Sequence, residues 1–397
     1  MAKIHVGIIT FDWFLFEPRA RRLGEAAVNA GYTVDVICLH QPHEKSYEIS
    51  NGIHIYRVPM NRQFGRPLLI SILSWCCFLL LAGISITIKH LRSHYDVIVV
   101  HNMPDFLIFA ALIPKLLGAK VVLDIQDVSP ELMAVKAKGG LRKIVVWSAC
   151  WQERISTSFA DHIVTVGWPF EELLLSRGVP HEKITIILNS ADPRLFPIAP
   201  DSPPHFDKSS EERPFILMYH GTVAARHGLD TAIRAVAIAR HVVPQLRLDI
   251  KARGEHLPVL KKLTVELGVS DQVMFSEVCP CEEVSDFIVH GDIGIIPYRC
   301  DGFMELLLPT KVYEFAWMKR PMIASDTHAM RSMFRPESII LCDPLKPESF
   351  ADAIVDLYEH PQKRARLVAN ASEDYIPYRW EQMAERYQKL LALLSKN

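Results

Sequence analysis

The stretch YHGTVAARHGLDTAIRAV, residues 219–236, sets the fold of the second half of the chain. An apolar run, FILMYH (215–220), ends before Gly221, and an amphipathic helical pattern begins after Gly228. This order predicts a buried strand, a short loop and a helix. Glycines let backbone approach a ligand, a helix N-terminus attracts anions, and Arg226 could donate to phosphate oxygens. An ordinary strand-to-helix turn with a solvated arginine is the alternative that this stretch alone leaves open.

Short apolar runs alternate with helical patterns on both sides of a proline-rich break. The break, PIAPDSPPHFDKSSEERP (197–214), contains five prolines, which disfavour helix and central strand. Predicted strands lie at 3–9, 33–38, 53–58, 96–101, 120–124, 162–166 and 184–188 before it, and at 215–220, 246–252, 273–276, 292–297, 322–325 and 338–342 after it. Such runs separated by helices indicate parallel sheets covered on both faces. We predict an α/β protein of two Rossmann-like doubly wound domains facing a cleft.

The predicted domains follow from the position of that break. Residues 1–196 form the first domain, 197–214 the linker and 215–374 the second domain, and 375–397 end in an amphipathic helix. A chain of 397 residues, 49% hydrophobic and 22% charged, suits two globular domains. Its net charge of −1 gives no overall basic field, so we expect no nucleic-acid partner.

Residues 68–88, LLISILSWCCFLLLAGISITI, contain no charged side chain. As a helix this run would reach about 31 Å, enough to span a bilayer. A crossing would separate strands predicted to share one sheet. Basic residues flank both ends, with Arg57, Arg62 and Arg66 before the run and Lys89, His90 and Arg92 after it. This pattern favours a helix lying in one leaflet of an anionic membrane surface; a packed core helix and a true span are the alternatives.

A second candidate segment is CDGFMELLLPTKVYEFAWMKRPMIASD, residues 300–326. Pro309 suits the start of a helix, where backbone amides from Thr310 onward would have no partner inside the helix. Lys311 adds a positive charge, and the Glu314 carboxylate could accept hydrogen bonds from two neighbouring hydroxyls, as on a ribose. A solvated helix is the alternative reading of this segment alone.

The order and spacing of several motifs carry a resemblance to a known family. They are VVHNMPDFLIFAALIPKLLGAKVVLDIQDVSPE (99–131), LNSADPRLFP (188–197), HGTVAARHGLDTAIRA (220–235) and LPTKVYEFAWMKRPMIASD (308–326). Over nearly its whole length the chain resembles nucleotide-sugar-dependent glycosyltransferases of the GT-B type, specifically the retaining group called family 4.

The resemblance implies that the second domain binds a nucleotide-diphosphate sugar. Glu314 matches the family's ribose-binding glutamate. The diphosphate-binding elements correspond to the loop from Gly221 through Thr222, Arg226 and His227, and to the helix start at Thr310 and Lys311. The first domain is expected to bind the acceptor, and the C-terminal helix to pack back on it. The resemblance also implies retention of configuration, with no cofactor and no obligatory metal.

The chain departs from the family pattern at several positions. The frequent Arg and Lys of the first loop fall on Thr222 and His227. The second glutamate of the family's E-x7-E pattern falls on Leu306, one residue from Glu305, which we predict could still reach the donor sugar.

The first domain also departs from the family. Where members carry His-Asp, this chain has Gln126 and Asp127, which excludes a base at 126. Asp127 is therefore the predicted group that orients or deprotonates the acceptor hydroxyl, with His101 and Glu131 as expected neighbours. A structural His101, bonded at the end of its strand, is an equally open reading.

Together these features predict a hexosyltransferase-type glycosyltransferase. The expected acceptor is a glycan or polyprenyl-linked glycan precursor, and the expected location is the cytoplasmic face of a membrane, with peripheral attachment. Two alternatives remain at this point. One is a sugar-nucleotide epimerase or phosphorylase of the same fold, and the other is a catalytically weak, membrane-bound partner subunit.

Overall fold

The computed structural model describes residues 3–61, 68–137, 139–140, 142–197, 213–243, 245–277 and 281–396. The chain divides into two compact units. Unit 1 comprises Met1–Leu188 with Glu381–Asn397, and unit 2 comprises Asn189–Trp380. Each unit is built on its own sheet.

Unit 1 contains an eight-stranded sheet in the order β3-β4-β2-β1-β5-β6-β7-β8. Only β3 runs antiparallel, to β4, among the paired strands that the structure describes. Strands β1, β2, β5 and β6 are almost wholly buried, as their continuous Val/Ile runs predict for a covered parallel sheet. The strands are β1 His5–Ile9, β2 Thr33–Leu39, β3 Tyr47–Ser50, β4 Ile53–Val58, β5 Val97–His101, β6 Lys120–Ile125, β7 His162–Thr165 and β8 Ile184–Ile186.

Helices connect these strands. The first begins at Pro18, where a missing N–H costs nothing, and the Glu17 carboxylate caps it by accepting the Ala20 amide at 2.5 Å. The α-helices are α1 Pro18–Asn29, α2 Leu68–Arg92, α3 Leu112–Leu116, α4 Ser129–Lys136, α5 Arg142–Phe159 and α6 Trp168–Ser176; 3₁₀ segments cover Phe14–Phe16, Asp105–Ala111 and His181–Lys183.

Unit 2 contains a six-stranded parallel sheet in the order β11-β10-β9-β12-β13-β14. Its strands are β9 Phe215–Thr222, β10 Leu246–Arg253, β11 Val273–Ser276, β12 Ile293–Ile296, β13 Met322–Ser325 and β14 Ile340–Cys342. Its helices are α7 Leu229–Ala239, α8 Leu257–Glu266, α9 Cys281–His290, α10 Thr310–Trp317, α11 His328–Met333, α12 Pro347–Glu359 and α13 Pro361–Tyr375, with 3₁₀ segments Ala225–His227 and Ile376–Tyr378.

Both sheets have the doubly wound order in which the chain reverses direction along the sheet. In unit 1 the reversal lies between β1 and β5, and in unit 2 between β9 and β12. Loops that leave the carboxyl ends of two such strands diverge and leave a crevice, which is where ligands bind in this fold. The predicted site residues His101, Gly221 and Thr222 lie at the carboxyl ends of β5 and β9.

The unit boundaries differ from the predicted domain boundaries at both ends. Residues 189–196 group with unit 2: the Ala191 amide donates to the Tyr375 hydroxyl at 2.9 Å, and the Trp317 indole to the Phe196 carbonyl at 2.8 Å. Residues 375–380 also belong to unit 2, whereas most of the last helix, α14 (Trp380–Leu394), belongs to unit 1. Most of the predicted linker, 198–212, lies outside the described residues.

Helix α2 carries the long apolar run. Its span Ile70–Arg92 is long and apolar enough to cross a membrane, with a mean hydropathy of 2.1, and only 17% of that window is buried. The strands before and after it, β4 and β5, belong to one sheet.

The prediction that Arg57 and His90 are exposed basic residues flanking this helix is wrong, because both side chains are buried. Arg57 is buried in β4, where its guanidinium pairs with Glu44 and Glu48, because its side chain closes the edge of the sheet over strand β3. Arg62 and Arg66 lie outside the described residues.

Candidate functional site

The loop that follows β9 is held in a fixed shape by glycine. Gly221 has φ +110° and Gly228 has φ +62°, both in the region that favours glycine. A Cβ on Gly228 would lie 1.8 Å from the carbonyl oxygen of Pro297, which follows β12. The Arg299 amide donates to the Arg226 carbonyl at 3.0 Å, so the loops after β9 and β12 are joined. The two strand ends at the reversal point therefore form one surface.

Lys311 lies at the centre of this surface. It is the second residue of α10, and only 7% of it is exposed. Its Nζ donates to the Tyr298 hydroxyl at 2.7 Å and lies 4.6 Å and 5.0 Å from the ring centres of Tyr219 and Tyr298. A Cβ built on Gly221 would lie 3.9 Å from the same nitrogen. We call the loop 221–228 with Lys311 and these two tyrosines the lysine site.

The positive charge of the lysine site has no negative partner within the site. Among the residues that the structure describes, no carboxylate pairs with Lys311. Within the same part of the chain, the Arg226 Nε is buried without a hydrogen-bond partner. Buried cations in proteins are normally paired, so this arrangement is suited to an anionic ligand.

His227 is the third polar group of the site. Its ring stacks on Tyr298 at 5.0 Å, and its Nδ1 accepts the Ala224 amide at 3.2 Å. Burial, with Lys311 and Arg226 nearby, lowers the pKa of His227 to about 4. The imidazole is therefore neutral at pH 7 and, because Nδ1 is an acceptor, carries its proton on Nε2. The ring is also hydrogen-bonded to the Thr222 backbone, so His227 holds the two ends of the loop together without adding a charge.

Glu314 lies one turn beyond Lys311 on α10 and is paired with His220, at the end of β9, through the histidine Nε2. The position of His220 beside this carboxylate was not predicted from the sequence. The alternation within FILMYH carried no signal for it, because the contact joins residues 94 positions apart. The structure thus brings Gly221, Thr222, Arg226, His227, Thr310, Lys311 and Glu314 to one end of the unit 2 sheet.

Glu305 is placed differently. Its carboxylate accepts the His328 amide at 2.8 Å and lies 3.7 Å from Arg331, and its backbone carbonyl accepts the Ala329 amide. These contacts tie the loop before α10 to the start of α11. Glu305 thus holds the first turn of α11 in place. That it also contacts the donor sugar stays a prediction.

In unit 1 the end of β6 carries a buried charge cluster. Both Asp124 oxygens accept from Arg19, at 2.7 Å and 2.8 Å, and His101 Nδ1 lies 2.7 Å from the same carboxylate. Burial alone would raise the pKa of Asp124, but Arg19 and His101 outweigh it and hold the pKa well below its usual range. His101 is almost fully buried in this cluster, which favours the structural reading left open by the sequence.

Asn102 fixes the loop that carries Asp127. Its Oδ1 accepts the Gln126 amide at 2.8 Å, and its Nδ2 donates to the Asp127 carbonyl at 2.6 Å and to Asp105 at 2.9 Å. Asp127 is half-buried at this end of the sheet. Glu131, one of its predicted neighbours, is instead paired with Arg177. Asn102 was missed by sequence reasoning, which read its segment only as the end of a strand.

The comparisons with known proteins agree with this architecture. Residues 16–190 match the family described as glycosyl transferase 4-like domain, and residues 202–374 match glycosyl transferases group 1. Sucrose-phosphate synthase from Thermosynechococcus elongatus has a similar fold, with a TM-score of 0.77, 18% identity and 99% of each chain covered. The chain belongs to the glycosyltransferases of GT-B fold, and the predicted fold class is confirmed.

Two curated relatives are similar over part of their length. An alpha-D-kanosaminyltransferase from Streptomyces kanamyceticus is 26% identical, with 41% of each chain covered. A GDP-mannose-dependent alpha-(1-6)-phosphatidylinositol monomannoside mannosyltransferase from Mycolicibacterium smegmatis is 25% identical, with 46% of this chain and 48% of the relative covered. The chain thus spans less than half the length of these relatives.

The role of Gly228 can be tested against a matched glycine. Gly268 has the same φ of +62°, but a Cβ there would meet nothing within 4 Å. Gly268→Ala should cost about 1–2 kcal/mol of unfolding free energy from backbone strain alone. Gly228→Ala should cost at least about 2 kcal/mol more, because its Cβ overlaps the Pro297 carbonyl. Urea unfolding followed by circular dichroism measures both, and equal losses would contradict the close approach of the two loops.

The buried neutral His227 predicts a pH dependence of stability. Its folded pKa of about 4 lies below its unfolded value, so the unfolded chain binds the extra proton first as pH falls. This contribution is fully present above about pH 6.5 and is lost progressively toward pH 4, by about 2 kcal/mol between pH 7.5 and 5. His227→Gln should reduce the fall in melting temperature over that range, whereas the exposed-site control His241→Gln should leave it unchanged. The same slope in all three proteins would rule out a buried neutral imidazole.

Proposed function

We propose that the protein transfers a hexosyl group from a nucleotide-diphosphate sugar to an acceptor hydroxyl. The observation that carries this proposal is Lys311, a buried ammonium group that no described carboxylate balances, at the carboxyl ends of β9 and β12. Family membership supports the same reaction class, since both matched families are glycosyl transferases.

In the proposed reaction the donor diphosphate lies against loop 221–228 and the first amides of α10. The bond between the sugar carbon and the diphosphate oxygen breaks, and a bond from that carbon to the acceptor oxygen forms with retention. Negative charge builds on the leaving diphosphate, where Lys311, Arg226 and the helix amides stabilise it. We propose that these groups remove the need for an obligatory metal, so transfer should persist in the presence of EDTA.

Glu314 is the proposed ribose ligand. Its side chain is 16% exposed and directly paired with His220, which fixes the carboxylate beside the lysine site. A carboxylate accepts hydrogen bonds from two adjacent hydroxyls, a pattern that a ribose supplies. Asp127 is the proposed residue that orients the acceptor hydroxyl or receives its proton as the new bond forms.

The proposed acceptor is a glycan precursor linked to a lipid such as a polyprenyl diphosphate, at the cytoplasmic face of a membrane. The exposed apolar helix α2 supports this proposal, because it belongs to the unit that carries Asp127. The similarity to a phosphatidylinositol monomannoside mannosyltransferase is consistent with a lipid-linked acceptor.

Thermal unfolding against UDP, GDP, ADP and CMP tests the donor site. A nucleotide at a hundredfold excess over its Kd should stabilise the protein by about 2.7 kcal/mol, and one base should be selected. Lys311→Met should reduce the shift by a nucleoside diphosphate and leave the shift by the nucleoside unchanged, because it removes one of the diphosphate contacts. Glu314→Ala should weaken both ligands, because it removes the ribose contact.

Lys262→Met, at an exposed lysine of α8, is the matched control and should behave as the native protein. Should Lys311→Met and the native protein respond equally to the selected nucleotide, the diphosphate does not bind at Lys311. Normal binding and transfer by Glu314→Ala would place the ribose elsewhere.

Substitution of Asp127 tests the acceptor role. Asp127→Asn should lower kcat by about 10²–10⁴-fold while the nucleotide-induced thermal shift stays unchanged, because only a proton acceptor is removed. Asp161→Asn, at an aspartate ion-paired with Lys115, is a control for the loss of one unit 1 carboxylate. Rates of radiolabelled sugar transfer to lipid-linked acceptors measure the effect. A native rate in Asp127→Asn would remove this residue from the mechanism.

A further inference from the structure

Unit 1 exposes large apolar side chains on three helices rather than on α2 alone. Leu73, Leu80 and Leu91 of α2 are more than 60% exposed, as are Ile144 and Trp147 of α5, and Leu116 of α3 is 77% exposed. We call the exposed faces of these helices the three-helix surface. Its other exposed apolar members are Ile70, Ile72, Ile84, Ile88, Leu112, Ile113, Leu117, Trp151 and Ile155. Exposed apolar side chains mark an interaction surface when the helices that carry them lie on one face of the domain.

The topology places these helices on one face of the sheet. The connections from β4 to β5, from β5 to β6 and from β6 to β7 all step in the same direction along the strand order, and parallel crossovers are right-handed. Contacts agree with this: a Cβ on Gly83 of α2 would lie 3.5 Å from Ala110, and the rings of Phe109 and Phe159 are 5.0 Å apart. The 3₁₀ segment before α3 therefore lies between α2 and α5.

The opposite side of α2 is packed against the domain. Phe78, Ala82 and Ile86, each one turn from the next, are fully buried, and the Phe78 ring lies 5.1 Å from Phe11. A Cβ built on Gly7 of β1 would lie 3.0 Å from Ile86. A helix with one stripe fixed to the sheet cannot leave it to cross a bilayer, so its free stripe can only lie along a surface.

The charge of the three-helix surface has one sign. Along the described parts of these helices the ionisable side chains are Lys89, His90, Arg92, Lys115, Arg142, Lys143, Glu153 and Arg154. The single carboxylate, Glu153, is buried and held by Arg177. Lys89 packs over the Tyr56 ring, His90 is buried and Lys115 pairs with Asp161. The exposed charges of the three helices are therefore all basic: Arg92, Arg142, Lys143 and Arg154.

Trp147 and Trp151 add a second signal. They lie one turn apart on α5, with ring centres 6.0 Å apart, and both indoles are about half exposed or more. Tryptophan with flanking basic residues is the composition of a membrane–water interface. A second copy of this surface would place cations against cations, which disfavours a symmetric dimer through it.

We propose that the three-helix surface binds an anionic lipid bilayer, with α2, α3 and α5 lying in the plane of one leaflet and Trp147 and Trp151 at the headgroup level. The proposal deepens the proposed function and rests on it for the lipid-linked acceptor. In this proposal the protein attaches to the bilayer through three helices and not through α2 alone, and α5 makes much of the contact. Asp127 lies at the end of β6 that leads into α4 and α5, so an acceptor headgroup in the same leaflet would reach it along this face.

Binding of the full-length protein to vesicles tests the proposal. The native protein should bind vesicles of phosphatidylcholine with phosphatidylglycerol and lose most of that binding in phosphatidylcholine alone or at high salt. Trp147→Ser with Trp151→Ser should weaken binding at least about tenfold. Lys143→Gln with Arg154→Gln should weaken it by about tenfold or more, since each basic residue near an anionic surface contributes about fivefold.

Matched controls separate this surface from general changes in polarity. Val265→Ser with Leu345→Ser removes exposed apolar groups from unit 2, and Lys262→Gln with Lys389→Gln removes exposed cations elsewhere. Both control proteins should bind as the native protein does. Nucleotide-induced thermal shifts of all variants confirm that they are folded. If those shifts are absent even in the native protein, the donor proposal fails while the vesicle result stands by itself.

Three outcomes would overturn the proposal. The first is equal binding to neutral and anionic vesicles, and the second is unchanged binding in the α5 variants. The third is a native protein that ignores vesicles but forms a dimer by light scattering, lost on Trp147→Ser with Trp151→Ser; the surface would then be a contact between two copies. Loss of vesicle binding in the α5 variants alone, with donor binding intact, is the supporting result.

Discussion

The right-handed crossover between parallel strands is the constraint on which both surfaces of this protein depend. Each crossover returns the chain to the start of the next parallel strand, so the carboxyl ends of the parallel strands lie at one edge of each sheet and residues far apart in sequence meet there. In unit 2 this joins the loop after β9 to the loop after β12, with the Pro297 carbonyl against Gly228. In unit 1 the same rule collects α2, α3 and α5 on one face, where their apolar side chains stay exposed. The site thus follows from the common direction of the strands, and the surface from the handedness of the connections between them.

Most of the strands could be predicted from sequence because a covered parallel strand leaves a direct trace, a short Val/Ile run between turn residues. The run Ile53–Val58 and the run Met322–Ser325 were predicted at the residues where the structure has them. Strand β3 was missed because it has only four residues at a sheet edge, where its two apolar side chains, Tyr47 and Ile49, are exposed, so no buried apolar run marks it in the sequence. The apolar segment before β6 forms a 3₁₀ stretch followed by a short α-helix, with Pro114 inside the α-helix, and its sequence does not mark the change between the two.

Only those site residues could be predicted that belong to a local sequence pattern, such as a glycine loop or the start of a helix. Glycines and a helix start pointed to loop 221–228 and Lys311, and the structure places these residues together. The partners that set their chemistry were not visible: Tyr298 holds Lys311, His220 holds Glu314, and Asn102 holds the Asp127 loop. These contacts depend on strand order, which pairs residues without any local pattern. Arg57 was misread for the same reason, since its partners lie on the preceding loop and strand.

The two units treat buried charge in opposite ways, and the difference matches their proposed ligands. Unit 1 contains two buried charge clusters that are paired internally: Arg19 with Asp124, and Arg177 with Glu153 and Glu131. Because these charges are already paired, this end of the unit 1 sheet needs no ionic ligand and is suited to a neutral acceptor hydroxyl. Unit 2 keeps Lys311 unbalanced among aromatic rings and keeps His227 neutral beside it. Because an isolated buried cation is unfavourable, a doubly charged diphosphate is stabilised there more than a neutral sugar would be. Most of the binding energy is therefore directed at the diphosphate, which is the leaving group of the proposed reaction.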